Sequence, residues 1–106
     1  MSSVKAGTAP DNQYAVVDCS DNSTVVYAGP CTLTGVHVQT ALSAHACPIT
    51  DNGTAIFTLP ASAGGGSWFE GGNMRFTSDL TVDPNDSATG TITVVYVPDH
   101  EGLVGS

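Results

Sequence analysis

Positive charge is nearly absent from this chain. Lys5 and Arg75 are its only strong cations, ten side chains are acidic, and the formal net charge is −8. Binding to nucleic acid depends on several lysine or arginine side chains that neutralise phosphates. Attraction to an anionic membrane surface depends on the same cations. The composition therefore excludes nucleic acids and membrane surfaces as partners.

Long apolar runs and paired-cysteine motifs are also missing. No stretch approaches the roughly 20 apolar residues of a membrane span, and the start MSSVKAGTAPDNQ has no apolar run of the kind found in signal peptides. Cys19, Cys31 and Cys47 show no CxxC spacing. Without an export signal we expect reduced thiols. A Cys19–Cys31 disulfide is the alternative, provided that the two strands pair.

Charged side chains of either sign are scarce. They make up 11% of the residues, less than half of the roughly 25% typical of globular domains. Serine, threonine, asparagine and glycine supply the polar surface instead, and serine and threonine lose little conformational entropy when a contact immobilises them. This composition favours a protein that works in an assembly or outside a cell over a free cytosolic enzyme.

Short apolar segments separated by turn residues dominate what is present. The predicted strands are residues 14–17, 24–28, 31–40, 45–50, 54–59, 68–69, 74–82 and 91–97. About eight short strands at regular spacing are typical of an all-β sandwich of the jelly-roll or immunoglobulin-like type. With 106 residues, we expect a single antiparallel β-sandwich domain at 14–98, a flexible N-terminal arm at 1–13 and a tail at 99–106.

Glycines mark several of the predicted turns. In CTLTGVHVQT (31–40) the apolar alternation changes phase between Leu33 and Val36, so Gly35 predicts a β-bulge. Asn52-Gly53 predicts a tight hairpin. The segment PASAGGGS (60–67) predicts a loose loop, and GGN (71–73) predicts a further turn.

His45 and Cys47 are the first candidates for chemistry. Residues two apart in a strand face the same way, and His37 on the preceding strand would supply a third zinc ligand. A nucleophilic Cys–His pair is a second alternative, but it needs surroundings that favour a thiolate, and an acidic chain disfavours one. A buried free cysteine commonly behaves as a small hydrophobic residue. We therefore interpret the group as structural and predict no catalytic residue, metal or cofactor.

Asp83, Asn85 and Asp86 form a second candidate site. Their oxygen atoms suit a hard cation such as Ca²⁺. The sequence DPND lacks the EF-hand pattern, however, and has no bidentate glutamate at the required distance. A run of this kind usually forms a turn that hydrogen-bonds to itself. We expect a turn and no calcium site.

Trp68 and Phe69 are adjacent, so in a strand their side chains face opposite sides. One ring enters the core, and the other is exposed unless a partner covers it. Burial of both rings at a sheet edge is the alternative that involves no partner. The functional interpretation is a contact anchor between subunits, because buried aromatic residues often dominate interfaces.

Several motifs together resemble one protein family. They are GVHV with TALSAH (35–45), ITDNG (49–53), FTLPASA (57–63), RFTSDLTV (75–82) and ATGTITVVYVP (88–98). With these motifs the segment 26–98 resembles a family of small virion proteins of tailed bacteriophages. Asp79 before Leu80 departs from the family pattern, and the N-terminal arm lies outside the match. The motifs are strand ends and turns, so they specify a fold better than a role.

The resemblance implies a β-sandwich that is built into the phage particle. It implies capsid decoration, in which a small cement protein binds the outside of the shell through the major capsid protein, and such proteins are often homotrimers. A receptor- or carbohydrate-binding module of a tail or fibre is the alternative, which exposure of Trp68, Tyr27 or Tyr96 on one surface would favour. The family has no catalytic residues. For the decoration role we predict contacts at Val4, Lys5, Trp68 and Phe69.

Overall fold

Eight antiparallel strands form two four-stranded sheets in the computed structural model, which describes residues 12–99. The strands are β1 (Gln13–Asp18), β2 (Thr24–Tyr27), β3 (Cys31–Thr40), β4 (Cys47–Asp51), β5 (Thr54–Leu59), β6 (Trp68–Phe76), β7 (Leu80–Val82) and β8 (Thr91–Pro98). Within that part of the chain there is no helix long and apolar enough to cross a membrane. The all-β sandwich predicted from the sequence is confirmed.

The order of the strands distinguishes between the two predicted kinds of sandwich. The first sheet has the order β1-β8-β3-β6, and the second sheet has the order β2-β7-β4-β5. The first strand therefore pairs with the eighth, the second with the seventh, the third with the sixth and the fourth with the fifth, which is the pairing of a jelly roll. In the immunoglobulin fold the first strand lies beside the second. The domain is an eight-stranded jelly roll.

The hydrophobic core lies between the two sheets. Along each strand, alternate side chains face inward, which is the period of a half-buried strand. The largest fully buried side chains come from both sheets: Phe76, Leu33, Ile49, Leu59, Leu80, Ile92, Val17, Val36, Val38, Val82 and Val94. Burial of this apolar surface stabilises the domain by about 25 cal/mol per Å².

A β-bulge at Gly35 keeps β3 in phase with the core. Leu33 pairs with Tyr96 of β8, and Gly35 pairs with the preceding residue, Val95, so Thr34 is the additional residue. The pairing of β3 with β6 shifts at the same place. The bulge returns the next apolar residues of β3 to the inner face. The bulge predicted at this glycine is confirmed.

The hairpin predicted at Asn52-Gly53 is also confirmed. It joins β4 to β5, and Asn52 and Gly53 have φ angles of 51° and 84°. Two consecutive residues in the left-handed region are the signature of a type I′ turn, whose twist matches that of the flanking strands.

The glycines at 71–73 do not form the predicted turn. β6 runs without interruption from Trp68 to Phe76 and pairs with β3 on both sides of this segment. Gly72 and Asn73 adopt φ angles of 62° and 59°. These left-handed residues belong to a larger, irregular bulge in which residues 71–73 of β6 oppose the single residue Thr34 of β3. The prediction of a strand break was wrong because consecutive left-handed residues occur in bulges as well as in turns.

The predicted strand 74–82 is divided at residues 77–79, where the chain crosses from the first sheet to the second. Asp51 holds this crossing, because its carboxylate accepts the backbone N–H groups of Thr77, Ser78 and Asp79 at 2.9–3.2 Å. It also accepts the hydroxyl of Thr77. These hydrogen bonds lower the pKa of Asp51 below its ordinary value, and the one from the backbone N–H of Thr77 has the largest effect.

The three cysteines are buried and free. The backbone N–H of Cys19 donates to Gly90, just before β8, whereas Cys31 pairs with Pro98 at the other end of β8. A strand rises about 3.3 Å per residue, which places the two cysteines roughly 25 Å apart. A disulfide requires Cα atoms within about 7 Å. The alternative of a Cys19–Cys31 disulfide is therefore wrong.

The segments predicted to flank the domain are described only in part. Gln13, placed by the sequence in the arm, is the first residue of β1, and Asn12 accepts a hydrogen bond from the hydroxyl of Thr34. Asp99, placed in the tail, forms an ion pair with Arg75. The rest of the predicted arm and tail lie outside the described residues.

We predict that Asp51→Asn lowers the melting temperature at pH 7, because the amide accepts the three backbone N–H groups less strongly than the carboxylate does. The folded-state pKa of Asp51 is lowered. Its stabilising effect is therefore complete above about pH 4 and is lost as the pH falls through the folded-state value. Thermal unfolding of both proteins between pH 7 and pH 2.5 measures the difference.

Asp86→Asn is the matched control, since Asp86 is an exposed aspartate in the turn before β8. It removes the same charge and should leave the melting temperature at pH 7 close to that of the parent. Two results would contradict the role assigned to Asp51. One is an equal decrease in melting temperature for both substitutions at pH 7. The other is a difference in melting temperature between Asp51→Asn and the parent that stays the same as the pH falls to 2.5.

Candidate interaction surface

The outward side of the first sheet presents one continuous surface. We call it the outer face and define it by these residues, which point away from the core: Tyr14, Val16, Asp18, Gly35, His37, Gln39, Trp68, Glu70, Thr93 and Val95. Strand register places Val16, Thr93, His37 and Trp68 in one row across all four strands. The sheet therefore brings together residues that are far apart in sequence.

Trp68 lies at the β6 edge of the outer face, and its indole ring packs over β3. A Cβ atom placed on Gly35 would lie 2.2 Å from Cζ2 of Trp68, so only a glycine leaves room for the ring. The indole Nε1–H donates to Oε1 of Glu70 at 3.0 Å. Despite these contacts, 47% of Trp68 is exposed. One side of the indole ring packs against β3, and the other side is exposed and can contact a partner.

Tyr14 and Val16 form the opposite edge of the outer face, on β1. They are 70% and 67% exposed. Three strand spacings separate β1 from β6, so the distance between this edge and the edge that carries Trp68 is about 14 Å. Between the edges lies Val95, which points outward but is almost covered by its neighbours.

Polar groups occupy one end of the outer face, where the exposed carboxylate of Asp18 lies near the uncharged side chains of Gln39 and Thr93. Gln39 Nε2 donates to Thr93 Oγ1, next to His37 in the same row. Exposed apolar side chains grouped on one surface, with polar groups beside them, mark interaction sites, and aromatic residues are enriched at such sites. The geometry of the outer face suits it to binding through contact.

Phe69 points to the other side of the sheet. It pairs with the fully buried Val36 and packs against the core. The opposite orientations of Trp68 and Phe69 follow from their adjacency, and the alternative that buries both rings is wrong. Trp68 is thus available as an anchor, whereas Phe69 supports the fold. The other two predicted contact residues, Val4 and Lys5, lie outside the described residues.

Tyr14 and Val16 were missed by the analysis of the sequence. The signal was present, because residues 14–17 are apolar at every position and not at alternate positions. A strand of this kind has two apolar faces, and β1 buries only one of them at the edge of a sheet. Knowledge of the strand order was needed to interpret the pattern.

The three candidate zinc ligands are not brought together. Cys47 is the first residue of β4 and is buried in the core, and His45 precedes that strand in a loop. His37 lies on the outer face of the other sheet. Within residues 12–99 there is no group of three or more histidine, cysteine or acidic side chains arranged to hold a metal ion. The prediction that a strand aligns His45 with Cys47 was wrong, because β4 begins two residues later.

The candidate calcium ligands form a turn with internal hydrogen bonds. Asn85 Oδ1 accepts the N–H of Ser87 at 2.8 Å, and its carbonyl accepts the N–H of Ala88 at 2.9 Å. The N–H of Asp83 donates to Pro48. These contacts are those of a turn whose asparagine bonds to its own backbone.

Tyr27 and Tyr96 do not lie on an open surface. Tyr96 is 8% exposed and points into the sandwich, and Tyr27 of the second sheet is packed against the core. Their ring centroids are 5.8 Å apart at an interplanar angle of 42°, a tilted aromatic contact. Of the three aromatic residues named for a carbohydrate surface, only Trp68 is exposed.

We predict that Gly35→Ala displaces the indole ring of Trp68. The new methyl group would overlap the ring and would approach the backbone oxygen of Phe69 to 2.9 Å. Such overpacking typically destabilises a protein by about 1–3 kcal/mol. Because Trp68 is the only tryptophan of the chain, its fluorescence reports the site. We expect a red-shifted emission maximum and a lower melting temperature.

Gly64→Ala is the control, because a Cβ atom at Gly64 would make only an ordinary contact, 3.8 Å from Oγ of Ser67. This variant should keep the parent emission maximum. Parent-like emission from Gly35→Ala would show that the indole ring does not rest on residue 35.

No protein-family model, curated protein or solved structure matches this chain. Any functional assignment therefore depends on the motifs of the sequence and on the geometry of the outer face.

Proposed function

We propose that this chain is a structural protein of a tailed-phage virion that decorates the capsid exterior. In this role the jelly roll is a rigid body that binds the major capsid protein and clamps neighbouring capsomers. The motifs that resemble small phage virion proteins support the proposal. So does the jelly-roll architecture, which is common among viral capsid proteins. The scarcity of charged side chains fits a protein that is immobilised in an assembly.

The observation that carries the proposal is the exposed apolar surface of the outer face. Tyr14, Val16 and Trp68 are large, exposed and on the same side of one sheet. Burial of such side chains against a partner stabilises a complex by roughly 25 cal/mol per Å², before the entropy of association is subtracted. Trp68 has the properties of a binding hot spot, since its ring is already immobilised on Gly35.

Binding of this kind would stabilise a shell by mass action. A protein that binds the expanded lattice, but not its separated subunits, adds about 2.7 kcal/mol per site when its free concentration is 100 times the dissociation constant. No covalent step is required, only a rigid surface and a matching partner. In this proposal the assembled decoration protein is a homotrimer, and Val4 and Lys5 make further contacts with the shell.

We predict that Trp68→Ser weakens binding to shells that lack this protein. Loss of an aromatic hot-spot residue commonly costs about 2 kcal/mol or more, so the dissociation constant should rise at least about tenfold. Tyr14→Ser should act in the same direction. Sedimentation of purified protein with such shells over a range of concentrations measures the affinity.

Val25→Ser is the matched control. Val25 is 59% exposed on β2 of the second sheet, away from the outer face, and its substitution should leave the dissociation constant within about twofold of the parent. Parent protein that fails to bind shells at any concentration would refute the decoration role. Equal losses from Trp68→Ser and Val25→Ser would instead assign the contact to another surface.

A carbohydrate- or receptor-binding module of a tail or fibre is the second candidate. It is favoured by the combination of exposed Trp68 with the uncharged hydrogen-bonding groups of Gln39 and Thr93 on the same face. Decoration requires many more copies per virion than a tail or fibre module does. Glycan-array binding that Trp68→Ser abolishes, together with a low copy number, would favour this second candidate.

A further inference from the structure

Two cysteines meet across the interior at one end of the sandwich. Cys19 directly follows β1 of the first sheet, and Cys47 is the first residue of β4 in the second sheet. Each is only 1% exposed. The backbone of Cys19 is fixed by its hydrogen bond to Gly90, and that of Cys47 by pairing with Leu59. Both side chains belong to the same buried core cluster, on elements whose backbones are held independently.

Direct contact between the two thiols sets their acidity. The side chains of Cys19 and Cys47 interact directly, within reach of a hydrogen bond between the two sulfur atoms. This bond lowers the pKa of Cys19, because it stabilises the Cys19 thiolate, and it raises the pKa of Cys47, whose proton it retains. Cys19 is the thiol of the pair that an external reagent reaches first, because it directly precedes the exposed residues 20–23.

Cys31 has neither a cysteine neighbour at its end of the sheet nor a nucleophilic character. Cys31 lies roughly 25 Å from Cys19, at the other end of β8, because a strand rises about 3.3 Å per residue. Burial, followed by the carboxylate of Asp99, raises the pKa of Cys31 to about 11. Disulfide chemistry in this chain is therefore confined to the other two cysteines.

We propose that Cys19 and Cys47 form a disulfide bond that links the two sheets. The required oxidant is a small-molecule disulfide, and the reaction is thiol–disulfide exchange. The Cys19 thiolate attacks one sulfur of the reagent and expels the first thiol. The sulfur of Cys47 then loses its proton and attacks the Cys19 sulfur of the mixed disulfide, expelling the second thiol. The protein loses two electrons and two protons, and the reagent is reduced to two thiols.

The reagent reaches Cys19 through the adjacent turn. Residues 20–23, between β1 and β2, are all exposed, and local opening of a surface turn requires much less free energy than global unfolding. The disulfide closes a loop on the order of 30 residues and restricts the unfolded chain accordingly. We expect the melting temperature to rise by roughly 10 °C or more. This inference is independent of the proposed capsid role.

The experiment uses the full chain in a buffer of oxidised and reduced glutathione with the oxidised form in excess. The reduced protein has three titratable thiols, one for each cysteine. After equilibration and denaturation we expect a single free thiol, Cys31, and no bound glutathione. Mass spectrometry of the digested protein should identify a Cys19–Cys47 link, and melting temperatures of the oxidised and reduced forms should differ as stated.

Cys31→Ala and Cys47→Ala distinguish the pair. Cys31→Ala keeps both partners and should lose all its free thiols under the same conditions. Cys47→Ala should form no internal disulfide, and if it does not fold, the behaviour of Cys31→Ala still decides the question. Three free thiols in the oxidised wild-type protein, or a link that includes Cys31, would overturn the proposal. A Cys19–Cys47 link with an unchanged melting temperature would overturn its stabilising role.

Discussion

The register of β3 is the constraint on which both the core and the outer face depend. This strand pairs with β8 on one side and with β6 on the other, so a slip of one residue would turn its apolar side chains to solvent. The bulge at Gly35 corrects the phase, returning Val36 and Val38 to the core and leaving His37 outside. The same glycine provides the space in which Trp68 lies. One residue thus connects the packing of the interior with the shape of the surface.

The rigidity of the outer face has a clear physical origin. It lies on the central and edge strands of a sheet whose opposite side is fully packed, and not on loops. A partner that binds Tyr14 and Trp68 therefore orders few additional side chains, so less conformational entropy opposes association. This property suits a protein that acts by shape and contact, and it agrees with a surface poor in long, flexible, charged side chains.

Local patterns predicted more of the fold than of the contacts between distant residues. The bulge at Gly35 and the hairpin at 51–53 follow from turn chemistry that a short window of sequence contains. The hydrogen bonds that the backbone N–H groups of residues 77–79 donate to Asp51 depend on how the strands are ordered, which periodicity does not encode. The same holds for the candidate site. The adjacency of Trp68 and Phe69 predicted that only one ring could enter the core, but Tyr14 joins Trp68 only through the order of four strands.

The central claim is that the outer face is the docking surface, and hydroxyl-radical footprinting of the assembled particle tests it most directly. Side-chain oxidation would be compared between free protein and protein bound to the shell. The account predicts strong protection of Trp68 and Tyr14 on binding, with Val25 and Ile56 of the second sheet oxidised at unchanged rates. Oxidation of Trp68 at the same rate in both states, with protection confined to the second sheet, would contradict it.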